Sequence, residues 1–304
     1  MAVDYYNVLK DLDVSITVIG RGEVSSKNFY SKTGFKTIVG GLNNFLITNP
    51  KKCDSVIIAV GIEELSQIAI KVINFGIKNI LLEKPGGLNI NDILLVKNKA
   101  KQNNANVHIA YNRRFYASTK KAKEIINKDG GVTSFNFEFT EWSDVVKSSK
   151  QNKKIKEKWF LANSSHVADL AFYLGGLPEE IKTFTSGNLS WHKSASIFSG
   201  AGRSNSGALF SYQANWESAG RWNIEILTTK NRLIFKPMEQ LFLQKKGEIV
   251  IKKVEDIDYE LDKKYKPGLF LQTSSFINYE FKEMLNIYDL ISFFNLYSKI
   301  ANYY

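Results

Sequence analysis

The sequence predicts an α/β protein in which a doubly wound parallel sheet is followed by an α+β domain with an open, mostly antiparallel sheet. Up to about residue 112, apolar runs alternate with helix-like stretches over short connections, which is typical of a parallel sheet. Residues 55–60 form a continuous apolar run, as a strand covered by helices on both faces requires. After residue 131 the apolar residues recur with period two, which indicates strands with one solvated or helix-covered face.

The first domain begins with a helix predicted over residues 1–13, because Val3, Tyr6, Leu9 and Leu12 recur at helical spacing. The further elements predicted for this domain are strands at 14–19, 37–39, 55–60, 78–82 and 107–111, and helices at 25–32, 63–75 and 91–102.

The second domain is marked by the change of pattern. Phe135, Phe137 and Phe139 alternate with polar residues and predict one face of a strand. Residues 143–158 are polar, carry six lysines and predict a loop. The further predicted elements are helices at 119–128 and 164–174, strands and turns between 181 and 253, and a C-terminal helical region at 266–304, broken near Asn286, that could pack back on the first domain.

Composition narrows the class of protein. Cys53 is the only cysteine among 304 residues, which excludes an internal disulfide and a multi-cysteine zinc site, and we expect no metal. No apolar stretch approaches the roughly 18 residues that span a bilayer, and the N-terminus lacks a signal-peptide pattern. We therefore expect a cytoplasmic protein with no membrane partner. The net charge of +11 is spread along the chain without a nucleic-acid-binding motif, so we expect no nucleic-acid partner.

Three segments place reactive side chains at strand ends or on a helix of the second domain, and strand ends are where open α/β sheets bind ligands. Glu83-Lys84-Pro85 ends one predicted strand, and a Tyr-Asn-Arg-Arg-Phe run at 111–115 follows another about 25 residues later. A predicted helix then carries His166 and, three residues on, Asp169. The combination is much more specific than any of the three segments alone.

With these motifs the sequence resembles the Gfo/Idh/MocA oxidoreductases, the glucose–fructose oxidoreductase and inositol dehydrogenase family. The resemblance covers nearly the whole chain and implies a Rossmann-like dinucleotide-binding domain at 1–115 and a substrate-binding and oligomerisation domain at 116–304. It implies NAD(P)-dependent hydride transfer between a nicotinamide and a hydroxyl-bearing carbon of a sugar or sugar derivative. By the resemblance, the role of the enzyme would be one such as surface-polysaccharide synthesis. The open sheet of the second domain carries Phe and Tyr at alternate positions, so we expect it to be a homo-oligomer face.

The resemblance also implies two catalytic residues. Lys84 would reach the substrate hydroxyl and the nicotinamide ribose, where its ammonium can stabilise a developing alkoxide. His166 would be the proton donor and acceptor, because the pKa of histidine lies near working pH. Asp169 could orient His166 or simply balance local charge. The alternative interpretations are that Lys84 is a solvated surface lysine and that His166 is a structural histidine of the core. We interpret His108 and His192 as structural.

The end of the strand at 14–19 bears on the choice of cofactor. Arg21, with Ser25 behind it, suits the 2′-phosphate of NADP better than the 2′-hydroxyl of NAD, although Glu23 is an objection. We therefore expect NADP in preference to NAD. The residues expected to bind the cofactor are Arg21, Ser25, Ala59, Gly61, Glu83, Lys84 and Pro85.

The expected substrate is a sugar or an anionic sugar derivative, such as a sugar acid or a nucleotide sugar. One of Arg113 and Arg114 could hold an anionic group by a bidentate fork, while the other pairs with a carboxylate of the protein. Trp142 and Trp159 flank the lysine-rich segment and could stack on a sugar ring or pack in the core. The residues expected to bind substrate are Tyr111, Asn112, Arg113, Asn163 and Asp169.

The sequence departs from the family pattern in two places. Family members carry an aspartate four residues before the histidine, where this chain has Ala162, so the polarity must come from Asn163 or Ser165 or is absent. The opening strand and the G-x-G-x-x-G/A loop are also missing, and we interpret Met1 as an internal methionine of that loop. We then expect an incomplete chain or a natural truncation with impaired dinucleotide binding.

Two alternatives follow from the second departure. The strand at 14–19 could close up against the strand at 55–60 in place of the missing central strand. The function could be that of a catalytically impaired or non-enzymatic sugar-binding or scaffold descendant. The missing loop and Ala162 favour this alternative function, whereas the retained Lys84 and His166 oppose it.

Overall fold

A computed structural model describes residues 1–303 of the chain. The fold is mixed α/β, with parallel strands in the N-terminal part and an open, mostly antiparallel eight-stranded sheet in the C-terminal part, as the sequence predicts. The chain divides into two compact units. Unit 1 comprises residues 1–112 and 260–290, and unit 2 comprises residues 113–259 and the segment from Ile291 onward.

The elements are numbered in chain order. The α-helices are α1 (Ala2–Asp11), α2 (Glu23–Thr33), α3 (Gly41–Ile47), α4 (Leu65–Asn74), α5 (Ile90–Gln102), α6 (Ala117–Lys128), α7 (Ser143–Ser148), α8 (Lys153–Glu157), α9 (Ser165–Gly175), α10 (Glu260–Lys264), α11 (Leu269–Ile277) and α12 (Ile287–Ala301). The strands are β1 (Ile19–Gly20), β2 (Ile38–Val39), β3 (Ser55–Ile58), β4 (Asn79–Glu83), β5 (Asn106–Ala110), β6 (Ser134–Glu138), β7 (Pro178–Ser186), β8 (Ile197–Ser204), β9 (Leu209–Asn215), β10 (Asn223–Leu227), β11 (Asn231–Phe235), β12 (Phe242–Lys245), β13 (Lys252–Lys253) and β14 (Leu285–Asn286). Within residues 1–303, no helix combines the length and the apolar character that crossing a membrane requires.

Unit 1 contains two separate sheets. β3, β4 and β5 pair in parallel, and β14 is added antiparallel to β5, so the order is β14-β5-β4-β3. Ile80, Leu81 and Leu82 of β4 have no exposed surface, because this apolar run is covered on both faces and hydrogen-bonded on both edges. β1 and β2 form a second, parallel pair of two residues each.

The strand predicted at 14–19 does not close up against the strand at 55–60. It is reduced to β1, which pairs only with β2, while β3 pairs only with β4. The Val18 carbonyl accepts a hydrogen bond from the Ile38 N–H at 2.8 Å, but residues 14–18 lie outside any strand. An apolar run becomes a strand only where a neighbouring strand meets its N–H and C=O groups. The parallel sheet of unit 1 is therefore present as two pieces.

The sheet of unit 2 has the order β13-β12-β11-β10-β6-β9-β8-β7, with β6 and β9 as its parallel pair. The predicted alternation is present, because Phe135 and Phe137 are buried on one face. Phe172 of α9 packs edge-on against both rings, at centroid separations of 6.1 and 5.4 Å. Gly175 permits this approach, since a Cβ there would lie 2.3 Å from the Phe135 ring. Helix α9 is thus held against the buried face of the sheet.

The lysine-rich segment 143–158 is more ordered than predicted, since it contains α7 and α8. Asn152 caps α8 by accepting from the Ile155 N–H at 3.0 Å. Lys156 Nζ donates to two backbone carbonyls of the segment, at 2.7 and 2.8 Å. The Lys156 ammonium therefore stabilises the fold of this segment through hydrogen bonds within it, rather than binding a ligand.

We predict that the amides of β1 and β2 exchange with solvent faster than those of β4. β1 and β2 form two-residue strands with Ile38 and Val39 exposed, whereas β4 is buried between two neighbours. The rates should differ by at least about tenfold, because protection follows the free energy of local opening. Hydrogen–deuterium exchange of peptides covering 14–40 and 78–84 measures this, and equal protection of the two peptides would contradict it.

Candidate active site

The Glu83-Lys84-Pro85 segment lies at the carboxyl end of β4 in unit 1. Glu83 Oε1 accepts a hydrogen bond from the Tyr5 hydroxyl of α1 at 2.8 Å, and burial raises the pKa of this carboxyl. Lys84 is half-buried and Pro85 is buried. The segment therefore presents one partly accessible cation at the end of a fully buried strand, while the Glu83 carboxylate is used to hold α1.

The end of β5 is fastened by hydrogen bonds within unit 1. Tyr111 is buried, and the N–H groups of Tyr111 and Asn112 donate to the side-chain oxygen of Gln272 at 3.2 and 3.1 Å. The Asn112 amide donates to the Pro267 carbonyl at 2.8 Å. The structure thus uses both predicted substrate ligands to attach the segment around α11 to β5.

The predicted cofactor ligands Arg21 and Ser25 follow β1. Arg21 is 79% exposed, and its guanidinium forms an ion pair with Glu64 in the turn after β3. Ser25 Oγ donates to a backbone carbonyl at the start of α2 at 2.8 Å. Ala59 and Gly61 lie between β3 and the same turn. Because an exposed ion pair contributes little stability, a phosphate could replace Glu64 as the partner of Arg21.

In unit 2 the two consecutive arginines have different surroundings. The Arg114 guanidinium donates to both carboxylate oxygens of Asp169, at 2.9 and 2.6 Å, and both side chains are buried. Burial disfavours the charged guanidinium, but the Asp169 carboxylate outweighs this and raises the pKa of Arg114. The structure therefore gives Asp169 a different partner from the predicted His166 or substrate. Arg114 is the arginine that pairs with the protein.

His166 is the second residue of α9 and is buried. The turn before it, Phe160–Ser164, is π-helical, an irregularity that is frequent at functional sites. Ser165 Oγ donates back to the Leu161 carbonyl at 2.9 Å, so this hydroxyl serves the helix backbone. Asn163 and Ser165 are the two residues expected to supply the polarity of the family aspartate. Of these, Asn163 contacts a carboxylate.

That contact is with Glu141, a residue the sequence analysis missed. Glu141 Oε1 accepts from the Ser164 hydroxyl at 2.6 Å and from the Asn163 amide at 3.0 Å, and Oε2 accepts from Arg221 at 3.1 Å. Glu141 is buried, and burial raises its pKa while these three donors oppose the shift. Lys84 is a candidate because it is a charged residue at the end of a predicted strand. Glu141 is likewise a charged residue just beyond the end of β6, so the same criterion could have identified it.

Arg113, Arg221, Trp142 and Trp222 form one cluster in unit 2. The Arg221 guanidinium carbon lies 4.5 Å from the ring centroids of both Trp142 and Trp222. The Arg113 guanidinium carbon lies 4.8 Å from the Trp222 centroid. Trp142 therefore stacks with an arginine of its own chain, as a cation–π contact. Trp159 packs edge-on against Trp191 at 6.3 Å, which is a core contact.

His108 and His192 lie in structural settings. His108 stacks on Phe281 at a centroid separation of 4.2 Å, and burial lowers its pKa to about 4. His192 Nδ1 donates to the Ala195 carbonyl at 2.6 Å, so its Nε2 accepts from the Tyr303 hydroxyl at 2.7 Å. Burial also lowers the pKa of His192 to about 4. Within residues 1–303, no group of three or more potential ligands could hold a metal ion.

No protein-family model and no curated protein matches the sequence, but solved structures match its fold. Levoglucosan dehydrogenase in complex with NADH is 16% identical, with a TM-score of 0.77 over 99% of this chain and 92% of that chain. An oxidoreductase from Agrobacterium radiobacter in complex with NAD⁺, L-tartaric acid and magnesium is 14% identical, with a TM-score of 0.78 over 99% and 93%. The WlbA dehydrogenase from Bordetella pertussis in complex with NADH and UDP-GlcNAcA is 14% identical, with a TM-score of 0.72 over 99% and 91%.

The chain has the fold of the Gfo/Idh/MocA-type oxidoreductases. The resemblance inferred from three short motifs is therefore confirmed for the fold of the whole chain.

We predict that the free energy of unfolding decreases as pH falls from about 6.5 toward 4. An unfolded histidine takes up a proton near pH 6.5, whereas His108 and His192 in the folded chain do so near pH 4. In this window the unfolded state binds more protons, so acid costs up to about 3 kcal/mol for each histidine. Urea unfolding at pH 7.5, 5.5 and 4.5 measures the loss. The variant His108→Phe, which keeps a stacked ring, should show a smaller loss than the unaltered chain. The same loss in both would contradict the assignment.

Proposed function

We propose that the chain is an NAD(P)-dependent oxidoreductase that transfers a hydride between a nicotinamide and a hydroxyl-bearing carbon of a sugar or sugar derivative. The observation that carries the proposal is Lys84, a partly accessible cation at the carboxyl end of the buried strand β4. It stands in a fold whose solved examples include dehydrogenases in complex with NADH. Carboxyl ends of parallel strands are where this class of sheet binds dinucleotides.

The residues of unit 1 suit a nicotinamide cofactor. Gly22 and Gly61 follow β1 and β3, and a Cβ at either position would meet no atom within 4 Å. Both turns therefore leave room for a ligand to approach the backbone. Arg21 supplies an exposed cation at the same end of β1, which suits a 2′-phosphate and favours NADP. When bound, the cofactor supplies the acceptor or donor of the hydride.

Lys84 and His166 would manage the hydroxyl of the substrate. The Lys84 ammonium would donate to the hydroxyl oxygen and stabilise the negative charge that develops there on oxidation. The His166 imidazole would take the hydroxyl proton and return it in the reverse direction. The Glu141 carboxylate would hold the turn that precedes His166 through Asn163 and Ser164.

The outer face of the unit 2 sheet supports a homo-oligomer as part of the proposal. Phe184 of β7, Ile197 of β8 and Leu209 of β9 are exposed apolar residues on three neighbouring strands. The strand register places all three on the same exposed face of the sheet, and exposed apolar side chains suit a surface that another protein covers.

A non-enzymatic sugar-binding descendant is the second candidate, and one observation favours it. Within residues 1–303, no strand of one unit 1 sheet pairs with a strand of the other, so the predicted cofactor-binding unit has no continuous parallel sheet. Direct measurement of cofactor binding separates the two candidates.

We predict saturable binding of NADPH, with NADH binding more weakly. Removal of the exposed cation in Arg21→Gln should lower the affinity for NADPH by about tenfold and leave that for NADH unchanged, because only NADPH carries the 2′-phosphate. Fluorescence titration with each nucleotide measures both constants. Lys36→Gln removes an exposed charge elsewhere in unit 1 and is the matched control. Absence of binding by either nucleotide would favour the non-enzymatic candidate.

We predict that His166→Asn lowers kcat by about 10²- to 10⁴-fold, which is the usual contribution of a positioned acid or base. Cofactor affinity should not change, because His166 lies in unit 2 and would act on the substrate proton. Lys84→Met should also lower kcat, whereas Lys182→Met, on the exposed strand β7, should not. Stopped-flow absorbance at 340 nm with a panel of sugars measures hydride transfer. Unchanged kcat in His166→Asn would remove His166 from the mechanism.

A further inference from the structure

We propose that Arg113 and Arg221, both packed on Trp222, form a binding site for an anionic oxygen group of the substrate, a carboxylate or a phosphate. This inference rests on the proposed function, because it names the class of sugar derivative that the enzyme would accept. It selects an anionic sugar over a neutral one.

Arg113 is a cation without an anionic partner within residues 1–303. Its Nε is buried and makes no hydrogen bond within residues 1–303, and the guanidinium forms no ion pair there. Burial lowers the pKa of Arg113, which shows that the surroundings disfavour its charge. A buried guanidinium in a protein normally pairs with an anion, and its rigid fork matches the geometry of carboxylates and phosphates.

The carboxylates around Arg113 are already engaged. Asp169 gives both oxygens to Arg114, and Glu141 is bonded to Asn163, Ser164 and Arg221. Glu239 attracts Arg113 at longer range, but lies outside ion-pair distance and accepts from the Tyr116 hydroxyl at 3.5 Å. The protein therefore leaves the charge of Arg113 for an external anion to neutralise.

Trp222 contributes a second unpartnered donor beside the guanidinium. Its ring is buried, and its Nε1 makes no hydrogen bond within the described chain. The Arg113 guanidinium carbon lies 4.8 Å from the centroid of this ring. Two buried donors without acceptors in one contact would both be satisfied by an acceptor with several oxygens.

Arg221 supplies the accessible side of the site. Its side chain is 40% exposed, and stacking against Trp142 and Trp222 restricts its guanidinium. Glu141 occupies one of its donors, which leaves further N–H groups of the fork for a ligand. A restricted guanidinium loses less entropy when it binds an anion than a freely moving one does.

The site is joined to the proposed catalytic histidine by one side chain. Glu141 binds Arg221 through one oxygen and the Asn163-Ser164 turn through the other. That turn leads directly into α9 and His166. An anion held by the arginines would therefore anchor the substrate to the same group that supports the turn before His166.

The test is tryptophan fluorescence titration of the whole chain with D-glucuronate, D-glucose 6-phosphate and D-glucose. The titration needs neither cofactor nor turnover, and the stacked Trp142 and Trp222 report on the site. We expect saturable binding of at least one charged sugar, at least about tenfold tighter than D-glucose, one factor of ten being 1.4 kcal/mol. The charged sugar that binds more tightly identifies the group as carboxylate or phosphate. Equal affinity for all three sugars, or no response to either charged sugar, overturns the proposal.

Variants separate ligand binding from a structural role of Arg113. Arg113→Gln should lose at least about tenfold in affinity for the charged sugar, and Arg113→Lys should retain part of it, since lysine keeps the charge without the fork. Without ligand, the Tm of Arg113→Gln should equal or exceed that of the unaltered chain, because a half-buried charge without an anionic partner is removed. Arg203→Gln, exposed on β8, removes the same charge and should change neither quantity. A lower Tm with unchanged sugar affinity in Arg113→Gln would show a purely structural cation and overturn the proposal.

The titration also separates this inference from the proposed function. NADPH binding and reduction of a neutral sugar, together with no preference for charged sugars, would overturn the anion site and leave the oxidoreductase standing. Charged-sugar binding without any nucleotide binding would support the anion site and favour the non-enzymatic candidate.

Discussion

The buried ion pair between Arg114 and Asp169 is the contact on which the arrangement of unit 2 depends. It ties the turn after β5 to the middle of α9 through two hydrogen bonds, at 2.9 and 2.6 Å. Removing one partner of such a pair costs about 3–5 kcal/mol, a large part of the roughly 5–15 kcal/mol that stabilises a domain. Helix α9 also carries His166, three residues before Asp169. The ion pair therefore fixes the position of the His166 backbone in unit 2.

The same pair determines what Arg113 can do. Consecutive side chains in the short 3₁₀ turn Asn112–Phe115 leave the backbone in different directions. Arg114 therefore reaches Asp169, while Arg113 reaches the face of Trp222. Two adjacent arginines predict one structural and one ligand-binding role, but the residues alone cannot assign the roles. The assignment needs the distances, because both arginines follow the same strand and carry the same charge.

The sequence predicts well those elements whose burial follows from their own residues. β4 is apolar on both faces, so its run of buried residues indicates a central strand without knowledge of its neighbours. Residues 14–18 are also largely apolar, yet none of them lies in a strand, and β1 comprises only residues 19 and 20. A strand needs a partner on its edge, and pairing is non-local, so no local pattern reveals that the partner is lacking.

Glu141 shows the same limit within the candidate site. It lies 22 and 23 residues from Asn163 and Ser164, so no helical or strand period connects it to them. Ala162 stands where the resemblance implies an aspartate, and Glu141 brings a carboxylate to the same turn from just beyond the end of β6. Because burial raises the pKa of Glu141, its charge depends on Arg221 and the two other donors. The carboxylate thus makes the turn before His166 and the arginine cluster electrostatically dependent on each other.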